Sequence, residues 1–205
     1  LDYSRRFGDH DVTAMALYTM TTYTANANLP RTFLGFAGRA TYSYLSRYLA
    51  EFNVGYNGSD AFDKGHRYAV FPSFALGYII SNENFVKNHA PWITFMKIRG
   101  SYGMVGNDKI GTNQFVYLQT YDNDGNYFFG KDGSFGKVST LKEGDLGNTN
   151  VTWEVGYKAN VGVDMTFFER LTFNVDLFQE IRDKIFITRN TLPQTLGVGS
   201  GKENL

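Results

Sequence analysis

From Val151 to Phe167 every second side chain is apolar or aromatic, and every intervening residue is polar, charged or glycine. Trp153, Val155, Tyr157, Ala159, Val161, Val163, Met165 and Phe167 fall on one side, opposed by Thr152, Glu154, Gly156, Lys158, Asn160, Gly162, Asp164 and Thr166. Successive side chains of a strand point to opposite faces, so this period of two predicts a long strand with one greasy and one wet face. The same alternation runs through Leu34 to Tyr44, Tyr48 to Asn57, Phe74 to Ile80, Met96 to Met104 and Leu171 to Phe178, with Leu49 and Phe178 falling on otherwise polar sides. Wherever several charges share a segment they share its face: Lys97 with Arg99, Glu154 with Lys158 and Asp164, Asp176 with Glu180.

The connections alternate in length as well. Short ones are expected at Gly8 to Asp11, Leu45 to Arg47 and Phe168 to Arg170, and long ones at Thr24 to Phe33 and Asn57 to Ala69. Membrane barrels of the outer-membrane type have this asymmetry, with short periplasmic turns and long extracellular loops. The connection from Ser81 to Phe95 belongs to the short side by parity but is longer than a turn; Asn82 is placed to cap a short helix there, which Pro91 would end. The largest insertion, 106–150, falls on the outer side, is rich in Gly, Asp, Asn, Tyr and Phe, and is expected to hold an extra hairpin. Tyr44, Tyr48, Phe167, Phe168 and Trp153 lie near strand ends, where an interfacial aromatic girdle would place them. The fold class expected is therefore all-β: about eight antiparallel strands of a transmembrane β-barrel.

Composition agrees with this reading. Of the 205 residues, 17% are aromatic and 22 are glycine, a balance suited to strands that turn tightly and meet interfaces. Twenty basic against twenty acidic residues leave no net charge to recruit a nucleic acid. No run of about 18 apolar residues is present, so a spanning helix is excluded while spanning strands, which need about 9 to 11 residues, are not. There is no cysteine, hence no disulfide and no thiolate metal site. The first residues, LDYSRRF, read as a strand without a leader, so the sequence is expected to be an internal piece of a longer chain.

Catalytic chemistry is hard to assemble from these residues. His10, His66 and His89 have no neighbouring pattern of carboxylate or nucleophile, and neither a nucleophile elbow nor a His-Glu-x-x-His pair occurs. Gly197 to Lys202 (GVGSGK) lacks the first glycine and the Ser/Thr of a phosphate loop, and Asp122 to Asn126 (DNDGN) has its glycine too early for a calcium loop, which makes it a turn. No cofactor or metal is expected. Two sets of residues remain. Arg39, Glu51, Lys97, Arg99, Glu154, Lys158 and Asp164 are expected to face the lumen, in water or against a plug. Tyr117, Tyr121, Tyr127, Phe128 and Phe129 lie on the outer insertion, where they either stack on a substrate and a lid protein or pack against one another in a hairpin.

Four stretches in order give a family resemblance. Gly35 to Phe62 (GFAGRATYSYLSRYLAEFNVGYNGSDAF), Phe71 to Phe85 (FPSFALGYIISNENF), Lys97 to Asp108 (KIRGSYGMVGND) and Thr152 to Ile185 resemble barrel segments of the SusC/RagA family of TonB-dependent outer-membrane transporters. The family pattern usually has Asn-Pro before its Trp-Glu strand opening, where this chain reads Asn148 to Glu154 without proline. The resemblance implies a 22-stranded type of barrel with a plugged lumen, of which 1–205 would be part. It further implies an N-terminal extension, a plug and a TonB-contacting segment outside this chain. Its implied function is energised import of oligosaccharides or peptides across a Gram-negative outer membrane under a SusD-like lipoprotein lid. The small inward residues Gly35, Ala37, Ser43, Gly55, Ser73, Gly77, Ser101 and Gly103 suit a wide barrel, since an eight-stranded one must fill its interior with side chains.

Two other readings compete. One is a self-contained small outer-membrane barrel with an adhesive or structural role. The other is a soluble β-sandwich that binds carbohydrate, which requires the apolar face to be covered by a second sheet.

Overall fold

The computed structural model describes residues 1–24, 29–109, 115–129, 136–188 and 202–205. In chain order the strands are β1 (Asp2–Phe7), β2 (His10–Tyr23), β3 (Arg31–Tyr44), β4 (Tyr48–Ser59), β5 (Tyr68–Ile79) and β6 (Ile93–Asn107). There follow β7 (Tyr121–Phe129), β8 (Gly136–Glu143), β9 (Glu154–Phe167), β10 (Leu171–Asp183), β11 (Phe186–Thr188) and β12 (Lys202–Asn204). A 3-10 turn (Ile80–Asn82) and a short helix α1 (Asn84–His89) separate β5 from β6. The chain forms two compact units: one of residues 1–59, 68–107 and 155–183, the other of 60–67, 108–154 and 184–205.

The first unit is built on a sheet of order β1-β2-β3-β4-β5-β6-β9-β10. Its successive strands pair antiparallel from β1 to β6, and β9 pairs antiparallel with β10. Three tight turns set the register. Gly8 takes φ +61° between β1 and β2, while Leu45 with Ser46, and Phe168 with Glu169, place both central residues at positive φ, as type I′ hairpins do. From these turns the alternation of each strand lines up across its neighbours. One row reads Ala40, Phe52, Phe74, Tyr102; the row beside it on the other face reads Arg39, Asn53, Ser73, Gly103.

On β4 and β5 exposure runs opposite to that of a soluble protein. Along β4 the apolar-face residues Tyr48, Phe52 and Tyr56 are exposed, whereas Leu49, Glu51, Asn53 and Gly55 of the polar face are half-buried. Leu177 on β10 is 73% exposed and its partner Val161 on β9 is 55% exposed. A contiguous apolar surface of this extent marks a face made to be covered by another apolar phase. Its height fits a bilayer. Tyr68 and Tyr78 bound β5 ten residues apart, about 33 Å along a strand, and a tilt of about 40° turns that into a band about 25 Å tall, the height of the apolar band of outer-membrane barrels. Stacked tyrosines mark both margins, Tyr56 on Tyr68 (5.5 Å) at one and Tyr48 on Tyr78 (5.0 Å) at the other.

Among the described residues, the most buried apolar cluster belongs to the second unit. Phe62 is fully buried, and Ala61, Val151 and Trp153 are nearly so. Trp153 packs on Phe62 (5.3 Å between ring centres) and donates its indole N–H to the Arg67 carbonyl at 3.2 Å. This corrects the expectation that Trp153 faces outward in a girdle: β9 begins at Glu154, and Val151 to Trp153 precede it as core. The carboxamide of Asn204 holds this segment by accepting the Thr152 N–H (2.8 Å) and donating to the carbonyls of Thr152 (2.9 Å) and Lys184 (2.7 Å).

Two boundaries also differ from expectation. Strands β4 and β5 extend further than the alternation suggested, which shortens their connection to 60–67. The helix expected after Ser81 forms, but Asn82 does not cap it; its side chain donates to the Ser46 carbonyl (2.7 Å), and Glu83 occupies the N-cap without a side-chain bond to the helix.

Candidate functional site

The polar face of the sheet gathers most of the charged candidates into cross-strand clusters. Arg39 on β3 donates to Glu51 on β4 at 2.8 Å, and Glu51 also accepts from Asn53 (2.9 Å). Arg99 on β6 pairs with Asp164 on β9 (3.2 Å) and Asp176 on β10 (2.8 Å), with Asn160 accepting a further N–H at 3.4 Å. Lys158 lies 3.8 Å from Glu180, which pairs with Arg182 at 2.8 Å. Lys97 stands on the same face as Arg99, opposite Ile79 in register, and Glu154 is the first residue of β9. A concave pocket of about 360 Å³ on this face is lined by Thr41, Ser43, Glu51, Lys97, Arg99 and Asn160, among others. Small residues make it possible: Gly77 leaves room for the Lys97 stem, and a Cβ on Gly162 would press into both Arg99 and Asp176.

Selecting charges strand by strand missed Asp176, Glu180, Asn53 and Asn160 as members of these clusters. The signal was present for the first two. The tight turn at Phe168–Glu169 pairs Glu180 with Lys158 and sets Asp176 opposite Gly162, two pairs along from Asp164 and on the same face.

In the second unit the insertion holds the hairpin β7–β8, and the five aromatics do not form one surface. Tyr127 and Phe129 share a face, rings 4.9 Å apart edge to face. Tyr121 and Phe128 lie on the other, because their partners Glu143 and Lys137 stand on one side of β8. Tyr117 lies in the preceding turn, edge-on to Phe115 (6.0 Å). All four hairpin rings are exposed. Between Asn123 and Asn126 β7 carries a bulge, where Gly125 takes φ +95° and donates its N–H to the Asn123 side chain (3.2 Å). Among the described residues no group of three or more His, Asp or Glu is placed to hold a metal ion.

No protein-family model matches the chain. Individual relatives do. TonB-dependent receptor P39 of Formosa agariphila is 31% identical over 168 residues, 82% of this chain and 15% of the relative. TonB-dependent receptor SusC of Bacteroides thetaiotaomicron is 36% identical over 149 residues, 71% of this chain and 14% of the relative. This chain is homologous to TonB-dependent receptors, SusC among them. The fold agrees: the structure of the RagAB peptide transporter matches with a TM-score of 0.81 at 22% identity, covering all of this chain and 25% of that one. The chain spans about 15% of the length of the curated relatives it matches.

Proposed function

We propose that this chain forms part of the wall of an outer-membrane barrel through which a TonB-dependent receptor imports oligosaccharides or peptides. The observation that carries the reading is the reversed facing of the sheet, with the apolar side exposed and the charged side knit together. In this reading Arg39, Glu51, Lys97, Arg99, Glu154, Lys158 and Asp164 line the aqueous lumen, where charge is tolerated. Lipid covers Phe52, Phe74, Tyr102 and Val161. The β-sandwich alternative would need a second sheet over that apolar face.

The wall breaks no bond of the cargo. Force reaches the receptor through TonB at a segment outside this chain, and the insertion 106–150 lies on the extracellular side under a SusD-like lipoprotein. Large rings with polar tips suit both sugar stacking and protein contact. The two faces of the β7–β8 hairpin divide that work, one presenting Tyr127 and Phe129, the other Tyr121 and Phe128. Likeness to SusC supports a glycan cargo, and likeness to a RagAB peptide transporter supports a peptide.

The test uses the full-length receptor with its lipoprotein partner. Tyr127→Ala with Phe129→Ala, and separately Tyr121→Ala with Phe128→Ala, are compared for cargo uptake and lipoprotein co-purification. At least one pair should lower one readout several-fold. Wild-type behaviour of both pairs in both readouts removes the assignment of these rings.

A further inference from the structure

The side of the sheet that carries the tight turns has one connection that is not tight, the segment from Ile80 to Trp92. Its anchoring is elaborate for a linker. The Glu83 carboxylate accepts the Arg47 guanidinium at 3.0 Å and the hydroxyls of Tyr48 (3.3 Å) and Tyr78 (3.2 Å). Asn82 ties the same segment to Ser46, next to Arg47 in the β3–β4 turn. At its far end Trp92 stacks on Phe167 (5.6 Å) and Phe168 (6.3 Å) and accepts the Phe168 N–H on its carbonyl at 3.0 Å.

These partners fix where the segment runs. Tyr48, Tyr78 and Phe167 all belong to the apolar face, at its turn-side margin. The connection is therefore fastened along the rim of the apolar face and not over the polar one. Between its fastenings α1 buries Val86 but leaves Phe85 59% exposed, and Trp92 is 48% exposed beside Phe168 at 68%. Lys87 and His89 occupy the last turn of the helix, so rings and basic side chains alternate along the segment.

Resting on the membrane reading above, we infer that the Ile80–Trp92 connection is an interfacial anchor that lies in the headgroup layer of the leaflet on the tight-turn side. Aromatic rings with one apolar and one polar edge favour that layer, and basic side chains beside them reach the phosphates. Phe85 and Trp92 continue the aromatic margin made by Tyr48 and Tyr78. The Glu83 hub holds the segment flat against that margin and so sets the depth of the wall in the bilayer.

The test is spin-label depth measurement on the full-length receptor in bilayers, on a background free of native cysteines; this stretch contributes none. Labels are placed singly at Phe85→Cys, Trp92→Cys, Val161→Cys and Asp124→Cys, and their collision rates with oxygen and with a water-soluble nickel chelate are compared. The anchor predicts a deep label at 161, an aqueous one at 124, and labels at 85 and 92 between them. Phe85, exposed and outside the Trp92 stack, decides the outcome if Trp92→Cys fails to assemble. A deep 161 with an aqueous 85 overturns the anchor and leaves the membrane wall standing. An aqueous 161 overturns both.

Discussion

Arg99 on β6 reaches Asp176 on β10 at 2.8 Å by passing over Gly162 of the intervening strand β9. The guanidinium also holds Asp164 on β9, so one side chain ties three strands on the polar face. The link joins β6 to the β9–β10 hairpin, which follows the long insertion in the chain and has no tight turn of its own to fix its register against β6.

Gly162 is what allows the reach. A Cβ there would lie 2.6 Å from an Asp176 oxygen and 2.7 Å from the Arg99 guanidinium carbon, closer than packing tolerates. Both atoms end flexible side chains that can swing aside, so Gly162→Ala is expected to displace the Arg99–Asp176 pair and lower stability modestly. Gly100→Ala is the control, since its nearest neighbour is 3.9 Å away. Urea midpoints in detergent should drop for the first and stay within error for the second.

A second glycine contact explains part of the KIRGSYGMVGND stretch. A Cβ added to Gly106 would overlap the ring of Phe71, which lies buried against that strand. Gly106→Ala should cost about 1–3 kcal/mol, and adding Phe71→Ala should recover part of the loss instead of deepening it. The double-mutant cycle on unfolding midpoints reads the coupling directly. Strict additivity would mean that ring and glycine do not constrain one another.

The two type I′ turns carry residues ill suited to them. Leu45 and Ser46 both sit at φ +52°, and Phe168 and Glu169 at +53° and +57°. Non-glycine residues held in such conformations cost on the order of 1–3 kcal/mol each. Ser46→Gly and Glu169→Gly should therefore raise the unfolding midpoint. Gly8→Ala, at φ +61° with open space around it, should lower it by strain alone.

Much of this fold could be read from alternation, because six of the eight strands of the main sheet, β3 to β6, β9 and β10, keep a period of two and the tight turns transmit it to the next strand. Lys97 and Arg99, or Lys158 and Asp164, reveal their common face without any knowledge of neighbours. Their partners are another matter. Arg99 meets Asp176 only because β6, β9 and β10 are adjacent and Gly162 lies between, a three-strand relation that no single strand encodes. Trp153 misleads for the complementary reason. Its spacing continues the β9 period, but its burial comes from Phe62, far away in the chain. Asn82 has the residue type of a helix cap yet is taken by the Ser46 carbonyl, since a tertiary acceptor outcompetes the local one. The hairpin β7–β8 was foreseeable as a hairpin. The bulge at Asn123 to Asn126 then decides which rings share a face.

The central claim is that the apolar face meets lipid, and paired arginine substitutions test it most directly. Val161 points from the exposed apolar face of β9, and Asn174 sits on the polar face of β10 opposite Asp164. Arginine on a lipid face near the midplane costs about 2–4 kcal/mol, whereas lumen positions tolerate it. Each variant of the full-length receptor would be scored for heat-modifiable, folded protein in outer-membrane fractions. The account predicts that Val161→Arg fails to assemble while Asn174→Arg reaches wild-type levels. Equal assembly of the two variants, or loss of Asn174→Arg alone, would contradict it.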